Sequence, residues 1–244
     1  MAAALLIHGA WQGAWAWDAF IPPFSAKGWV CNAVDLPENG QPGAGDGPAG
    51  MESYVAHCWR FLDAPSVIIA HSGGGVLASQ LAENFPDRVK CVVYLAGMML
   101  PSGVAFEDLL AELAAETAIS TGIGPYLEWS EDRQFSCVPP AAALEIFLHD
   151  CTAEAAQRAA VRLRPQREAG RKLRAVLTPE RYGRVPRLYV EALRDRSVVL
   201  EVQRRMQDLS PGARRLSIDT GHAPQLANPD PLADMLSREL AAYQ

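Results

Sequence analysis

The stretch Val67-Ile68-Ile69-Ala70-His71-Ser72-Gly73-Gly74-Gly75 constrains the fold more than any other part of this chain. It reads as a short apolar strand, a serine among small residues, and the start of a helix. A strand that turns at once into a helix crowds the positions two before and two after the turn residue, so neither can carry bulk. Ala70 and Gly74 fill those positions. The usual form has glycine at both, and Ala70 is a small-residue variant that keeps the steric logic. A turn this sharp holds a serine hydroxyl exposed at the edge of a sheet, where a nucleophile is needed.

Two further segments complete a chemical set. Leu216-Ser217-Ile218-Asp219-Thr220-Gly221-His222 reads as a strand running into a loop that ends on a histidine. Pro186-Arg187-Leu188-Tyr189-Val190-Glu191 reads as another strand, and the loop after it carries Asp195. Nucleophile, acid and base then follow in the order Ser72, Asp195, His222, which differs from the orders of the chymotrypsin and subtilisin types. Asp219 is nearer to His222 in sequence but falls within or at the end of its strand, so Asp195 is the expected acid.

Strands and helices alternate through the first hundred residues. Strands are expected at Leu5–Ile7, Trp29–Val34, Val67–Ala70 and Val89–Ala96. Helices are expected at Trp15–Lys27, Met51–Leu62 and Gly74–Phe85. Fully apolar strands with helices between them imply a mostly parallel sheet covered on both faces. From Pro101 to Arg184 this alternation stops. Helical stretches (Phe106–Glu116, Ala141–His149, Ala153–Arg162, Glu168–Val176) are punctuated by prolines. The sheet pattern resumes with Leu188–Glu191, a helix at Val198–Leu209, a strand at Arg214–Ile218 and a closing helix at Pro231–Ala242. The chain therefore reads as an α/β core of residues 1–100 and 185–244 with a helical insertion over 101–184. Ligand sites of open parallel sheets lie beyond the C-terminal strand ends. An insertion leaving from that edge would cover the site as a cap.

The 244 residues suit one core with an insertion, and the formal net charge of −6 argues against a nucleic-acid partner. No apolar run approaches the ~20 residues that span a bilayer. The opening Met1-Ala2-Ala3-Ala4-Leu5 lacks the basic start of a signal peptide. Five cysteines without paired metal spacing (Cys31, Cys58, Cys91, Cys137, Cys151) read as reduced thiols, hence a cytoplasmic protein and no metal site. Residues 1–157 hold 5 basic and 18 acidic side chains, and residues 158–244 hold 17 and 10. The basic stretch from Arg158 to Arg174 is expected to be a solvated face complementing the acidic half, although it leaves room for an anionic substrate tail.

The chain resembles the hydroxynitrile lyase and plant methylesterase group of the α/β-hydrolase superfamily, and most closely its small bacterial esterase-like members. The resemblance is carried by Leu6-Ile7-His8-Gly9-Ala10-Trp11-Gln12-Gly13-Ala14-Trp15, Val34-Asp35-Leu36-Pro37, the serine turn, Arg184 to Val190 with Asp195, and Gly221-His222-Ala223-Pro224. It spans the core and is weak in the cap. It implies an α/β-hydrolase fold and a cofactor-free serine hydrolase. Its triad would be Ser72, His222 and Asp195, and its oxyanion hole the backbone N–H groups of Ala10 and Gly73. Lyases of this group that keep the triad carry threonine in place of Gly9 and lysine in place of Ala223. Their absence implies ester hydrolysis rather than cyanide release, with Gly9 leaving room for the ester and the attacking water.

Pocket walls are expected from Gly9, Trp11, Met98 and Met99 and, in the cap, from Phe106, Leu109, Trp129, Phe135, Phe147 and Leu148. This apolar set implies a small-molecule, uncharged carboxylic ester with a small or aromatic part. His8 and His71 are expected to brace the loops rather than react, and His57 and the His149-Asp150-Cys151 run to be structural. Other chemistries on the same triad remain in view: a lyase, a C–C hydrolase, a thioesterase or acyl transferase, or a small-molecule receptor. Dimers are common in the group, so the resemblance leaves a homodimer open, and nothing in the composition decides it.

Overall fold

The computed structural model of the protein describes residues 2–116 and 122–244. Met1 and residues 117–121, the latter inside the expected insertion, lie outside the described residues.

Six strands form one sheet in the order β2-β1-β3-β4-β8-β9. They are β1 (Ala2–Ile7), β2 (Trp29–Val34), β3 (Ser66–His71), β4 (Val89–Leu95), β8 (Arg187–Ala192) and β9 (Ala213–Ile218), and every neighbouring pair is parallel. Side chains along a strand alternate between faces, and the core follows that period. Leu5, Ile7, Ile68, Ala70, Val92, Tyr94 and Tyr189 share one apolar cluster with residues of the helices Met51–Trp59, Gly74–Asn84 and Leu200–Leu209. Ala4, Leu6, Val67, Ile69, Val93, Leu95 and Val190 share a second with Trp17, Phe20, Phe24, Trp29 and the Pro229–Glu239 helix. Burial on both faces is why these strands read as continuous apolar runs.

The segment expected to be one helix over Trp15–Lys27 is broken. A 3-10 turn spans Ala14–Trp17 and a short helix Ile21–Ser25. Pro22 and Pro23 lack the N–H groups that a continuous helix would need and suit only its first turn.

β4 and β8 pair directly, so the long insertion leaves and rejoins the sheet at adjacent positions. It is not wholly helical. Helices occur at Phe106–Glu116 and Ala153–Ala160, and Pro140–Ala142 runs into a π-helical turn at Ala143–Phe147. The insertion also holds a three-stranded antiparallel sheet, β5 (Glu128–Trp129), β6 (Phe135–Cys137) and β7 (Gln166–Arg167). Strands of two or three residues are too short to show alternation in sequence.

The expected helix Glu168–Val176 is only a turn at Glu168–Gly170. Beyond it, tertiary partners take the backbone groups. Ala175 accepts from Gly103 N at 2.8 Å. Val176 N donates to Gln80 at 2.8 Å, Leu177 N to Ser102 at 2.9 Å and Thr178 N to Glu83 at 2.8 Å. Among the described residues no helix is long and apolar enough to cross a membrane.

Candidate active site

Ser72, His8, Asp195 and His222 all follow the C-terminal ends of parallel strands, on one edge of the sheet. Ser72 has φ +50°, the left-handed region that a non-glycine residue occupies only under constraint. Its turn is set by Ser72 N donating to Leu95 O at 3.2 Å and Ser72 O accepting from Gly75 N at 3.0 Å and Met98 N at 2.9 Å. The small residues after it are demanded by neighbouring backbone. A Cβ on Gly74 would lie 2.7 Å from His8 O, and one on Gly75 would lie 2.8 Å from Met98 N and O.

His222 Nδ1 lies 2.8 Å from Asp195 Oδ2, with both side chains buried. The other carboxylate oxygen of Asp195 accepts the N–H groups of Ser197 (2.7 Å) and Val198 (3.0 Å). Gln203, fully buried, stitches this loop together. Its amide accepts from Ala192 N and donates to the carbonyls of Ala192 and Val198. Asp219 instead has a largely exposed side chain paired with Arg194 at 2.9 Å. Ser72 and His222 line one cavity, and no hydrogen bond joins the Ser72 hydroxyl to His222.

The N–H groups of Ala10 and Gly73 have no acceptor among the described residues. A Cβ on Gly73 would lie 3.9 Å from Ala10 N, so the two donors flank one space. His8 Nδ1 lies 2.7 Å from Gly9 O, and Leu36 N donates to His8 Nε2 at 3.2 Å. The imidazole therefore carries its proton on Nδ1 and donates to Gly9 O. In a trans peptide C=O and N–H point opposite ways, so fixing the Gly9 carbonyl fixes the Ala10 N–H.

His71 braces from the other side, with Nε2 2.7 Å from His222 O and Nδ1 2.9 Å from the Gln12 side chain. Burial holds the His71 imidazole well below its ordinary range, and the neighbouring His222 adds to this. Burial lowers His8 as well. Burial pushes the thiols of Cys58, Cys91 and Cys151 up to about 12, which removes them as thiolate nucleophiles near neutrality.

Of the residues expected as pocket walls, Gly9, Trp11, Met98, Phe106 and Phe147 line the cavity. Trp129 does not. It sits on β5, 38% exposed, under the Arg133 guanidinium. Leu109 and Leu148 are buried in apolar clusters, and Phe135 lies beneath Arg167. Leu110, Ile123 and Val198 line the cavity in their place. Gly9 does not leave free room: a Cβ there would lie 2.9 Å from Ser72 Cβ and 3.0 Å from His71 Nδ1. Its small size lets the first loop pack on the serine turn.

The basic cap stretch is largely neutralised. Arg158 pairs with Glu154, Arg162 with Asp18, Arg167 with Glu38, Arg171 with Glu168, Lys172 with Glu107 and Arg174 with Asp108. Among the described residues no group of three or more His, Cys, Asp and Glu is arranged to hold a metal ion.

Comparison with known proteins agrees with this architecture. The chain is 29% identical to a pyrethroid hydrolase of Sphingobium wenxiniae, over 96% of this chain and 85% of that protein. It is 27% identical to methylesterase 7 of Arabidopsis thaliana, over 95% of this chain and 94% of that protein. The crystal structure of a pyrethroid hydrolase from Sphingobium faniae superposes with a TM-score of 0.86 at 27% identity, covering 99% of both chains. The sequence profile described as the alpha/beta hydrolase family matches residues 4–235. By that match the chain belongs to the alpha/beta hydrolase family.

Proposed function

We propose that the protein is a serine carboxylic ester hydrolase that acts through an acyl-enzyme on a small, largely apolar ester. The observation that carries this reading is the arrangement around one cavity. A strained serine, a carboxylate-oriented histidine and two backbone N–H groups without acceptors meet there. Its relatives' names, esterase, methylesterase and pyrethroid hydrolase, point the same way.

Ser72 Oγ attacks the ester carbonyl carbon while His222 Nε2 takes the serine proton. Asp195 holds the proton of His222 on Nδ1 and stabilises the imidazolium. The Ala10 and Gly73 N–H groups stabilise the oxyanion, where one such donor is typically worth about 2.7–4 kcal/mol. His222 returns the proton to the leaving alcohol. Water then repeats the sequence and releases the acid. Closing the Ser72–His222 hydrogen bond on substrate binding suits a site whose catalytic contacts tighten in the Michaelis complex.

The cavity volume of about 150 Å³ and its walls of Met98, Phe106, Leu110, Ile123 and Phe147 favour a small apolar ester. Arg171 and Lys172, the basic side chains that line the cavity among the described residues, are both paired, which disfavours an anionic tail. Hydrolysis of p-nitrophenyl acetate and butyrate by the wild type beside Ser72→Ala tests the reading. Activity confined to the wild type supports it. Equal activity in both overturns Ser72 as nucleophile, and activity in neither counts against the esterase reading.

A further inference from the structure

Trp11, the residue after the oxyanion donor Ala10, is held by the cap at every polar group it has. Its backbone N–H donates to Gln166 Oε1 at 3.2 Å, and its carbonyl accepts from Arg164 N at 3.0 Å. Its indole N–H reaches Ser136 O at 3.1 Å and Ser136 Oγ at 3.2 Å. Ser136 and Gln166 are direct cross-strand partners on β6 and β7, and both are buried. The Arg171 guanidinium lies 4.5 Å over the Trp11 ring and is itself tied to Glu168 and Ser136.

Trp11 has φ +61°. For a bulky non-glycine residue the left-handed conformation costs roughly 1–2 kcal/mol. It persists where surroundings over-determine it. On the core side, His8 and Gln12 fix the Gly9–Ala10 peptide. On the cap side, the next peptide plane, which carries the Trp11 N–H, is fixed by Gln166. Ala10 therefore sits between two clamped peptides, one held by the core and one by the insertion.

We propose that Gln166 is a positioning residue for the oxyanion hole: by fixing the Ala10–Trp11 peptide, the small antiparallel sheet of the cap acts with His8, which fixes the Gly9–Ala10 peptide, to hold the Ala10 N–H in place. The inference rests on the esterase reading for its kinetic consequences. It makes the cap part of the catalytic geometry as well as a wall of the pocket. Gln166 lies on the wall of the cavity, and in this scheme it acts on the oxyanion hole through Trp11.

The test compares wild type, Gln166→Met and Gln166→Glu. Methionine keeps the volume and removes the acceptor, whereas glutamate keeps an acceptor oxygen. With p-nitrophenyl butyrate, Gln166→Met is expected to lower kcat about tenfold at nearly unchanged KM, a misaligned donor costing less than the 10²–10³ of a deleted one. Gln166→Glu is expected to recover most of that loss.

An alkyl trifluoromethyl ketone gives a second readout. Ser72 Oγ bonds to its carbonyl carbon, the serine proton passes to His222, and the carbonyl oxygen becomes an oxyanion in the hole. Its affinity is expected to fall in Gln166→Met by the same factor as kcat. Binding of the intact ester, measured in a Ser72→Ala background, is expected not to change. Thermal melts identify the temperature at which all variants are folded, and kinetics are read there.

Unchanged kcat, a loss confined to KM, or ketone affinity that does not follow kcat overturns the proposal, as does failure of glutamate to rescue. If the wild type hydrolyses no ester, the esterase reading falls on its own. Hydrogen exchange at the 10–12 amides then decides the clamp: faster exchange in Gln166→Met supports it and unchanged exchange overturns it.

Discussion

Asp150 Oδ2 accepts the backbone N–H of Gly221 at 2.6 Å, joining the cap to the residue just before His222. The Asp150 carboxylate is almost fully buried, and Arg194 lies 3.6 Å from it. Arg194 also binds Asp219 O and the Asp219 carboxylate, and its own N–H donates to Thr220 O. The histidine loop is thus pinned from both sides. A hydrogen bond to a charged group contributes roughly 1.5–3 kcal/mol. Asp150→Ala is expected to lower stability by about that much, read as a shift in the urea midpoint, and to lower kcat. Asp150→Asn, which keeps an acceptor oxygen, is expected to restore most of both.

Asp195→Asn tests the acid. Ser197 and Val198 offer N–H groups to one oxygen of Asp195. An asparagine there will turn its carbonyl to them and its NH2 to His222 Nδ1. That fixes the imidazole with its proton on Nε2, where it cannot accept from serine. A loss in kcat of about 10⁴-fold is expected with the fold intact. Steady-state kinetics with near-ultraviolet circular dichroism checks it, and a loss below tenfold would transfer the role to another carboxylate.

Gly74→Ala probes the serine turn. Its new methyl would meet His8 O at 2.7 Å and Ile7 Cγ2 at 2.9 Å. The first of these is backbone at the end of β1 and cannot rotate away. Overpacking of this kind costs about 1–3 kcal/mol. The expected outcome is a lower melting temperature together with a reduced kcat, because the same shift moves the Gly9–Ala10 peptide.

Acid sensitivity should begin above the carboxylate range. Burial keeps His71 and His8 neutral below their ordinary 6.5 in the folded chain, while the unfolded chain protonates both. The unfolded state therefore binds more protons below about pH 6.5, and stability falls as pH drops through that window. Urea midpoints at about pH 7.5 and 5.5 measure this effect. His71→Gln is expected to be less stable at the higher pH and to lose less on going to the lower one. An equal fall in both proteins would remove His71 as the source.

The sheet was legible because its inner strands are buried on both faces, and an unbroken apolar run such as Cys91 to Leu95 leaves little alternative. The expectation for Ser72, Asp195 and His222 rests on the strand each one follows, although β9, before His222, is an edge strand exposed along much of its length. The interior of the cap was not legible. Its strands are two or three residues long, and Glu168–Val176 reads as helical by composition, but the chain leaves that path and the amides of Val176, Leu177 and Thr178 are claimed by Gln80, Ser102 and Glu83. Trp129 was grouped with the pocket walls as one of the apolar residues of the cap, yet nothing local tells which face of β5 it takes. Gln166, Gln203 and Asp150 carry no motif. Gln166 and Asp150 each matter through a hydrogen bond to a backbone distant in sequence, and Gln203 through several to the loop before its own helix; only the folded chain brings those partners together.

Because β4 and β8 are hydrogen-bonded neighbours, the insertion over 101–184 can in principle be exchanged without touching a rung of the main ladder or the Met98 contact to the serine turn. The grip on Trp11 sets the terms of such a graft. A foreign cap that lacks the acceptors supplied by Ser136 and Gln166 would inherit an intact sheet and an intact serine turn. On the proposed role of Gln166 it is expected to catalyse poorly, since the loop beside Ala10 would have lost its outer anchor. Reprogramming selectivity in this scaffold therefore means moving the first loop and the small antiparallel sheet together, as a single replaceable cassette.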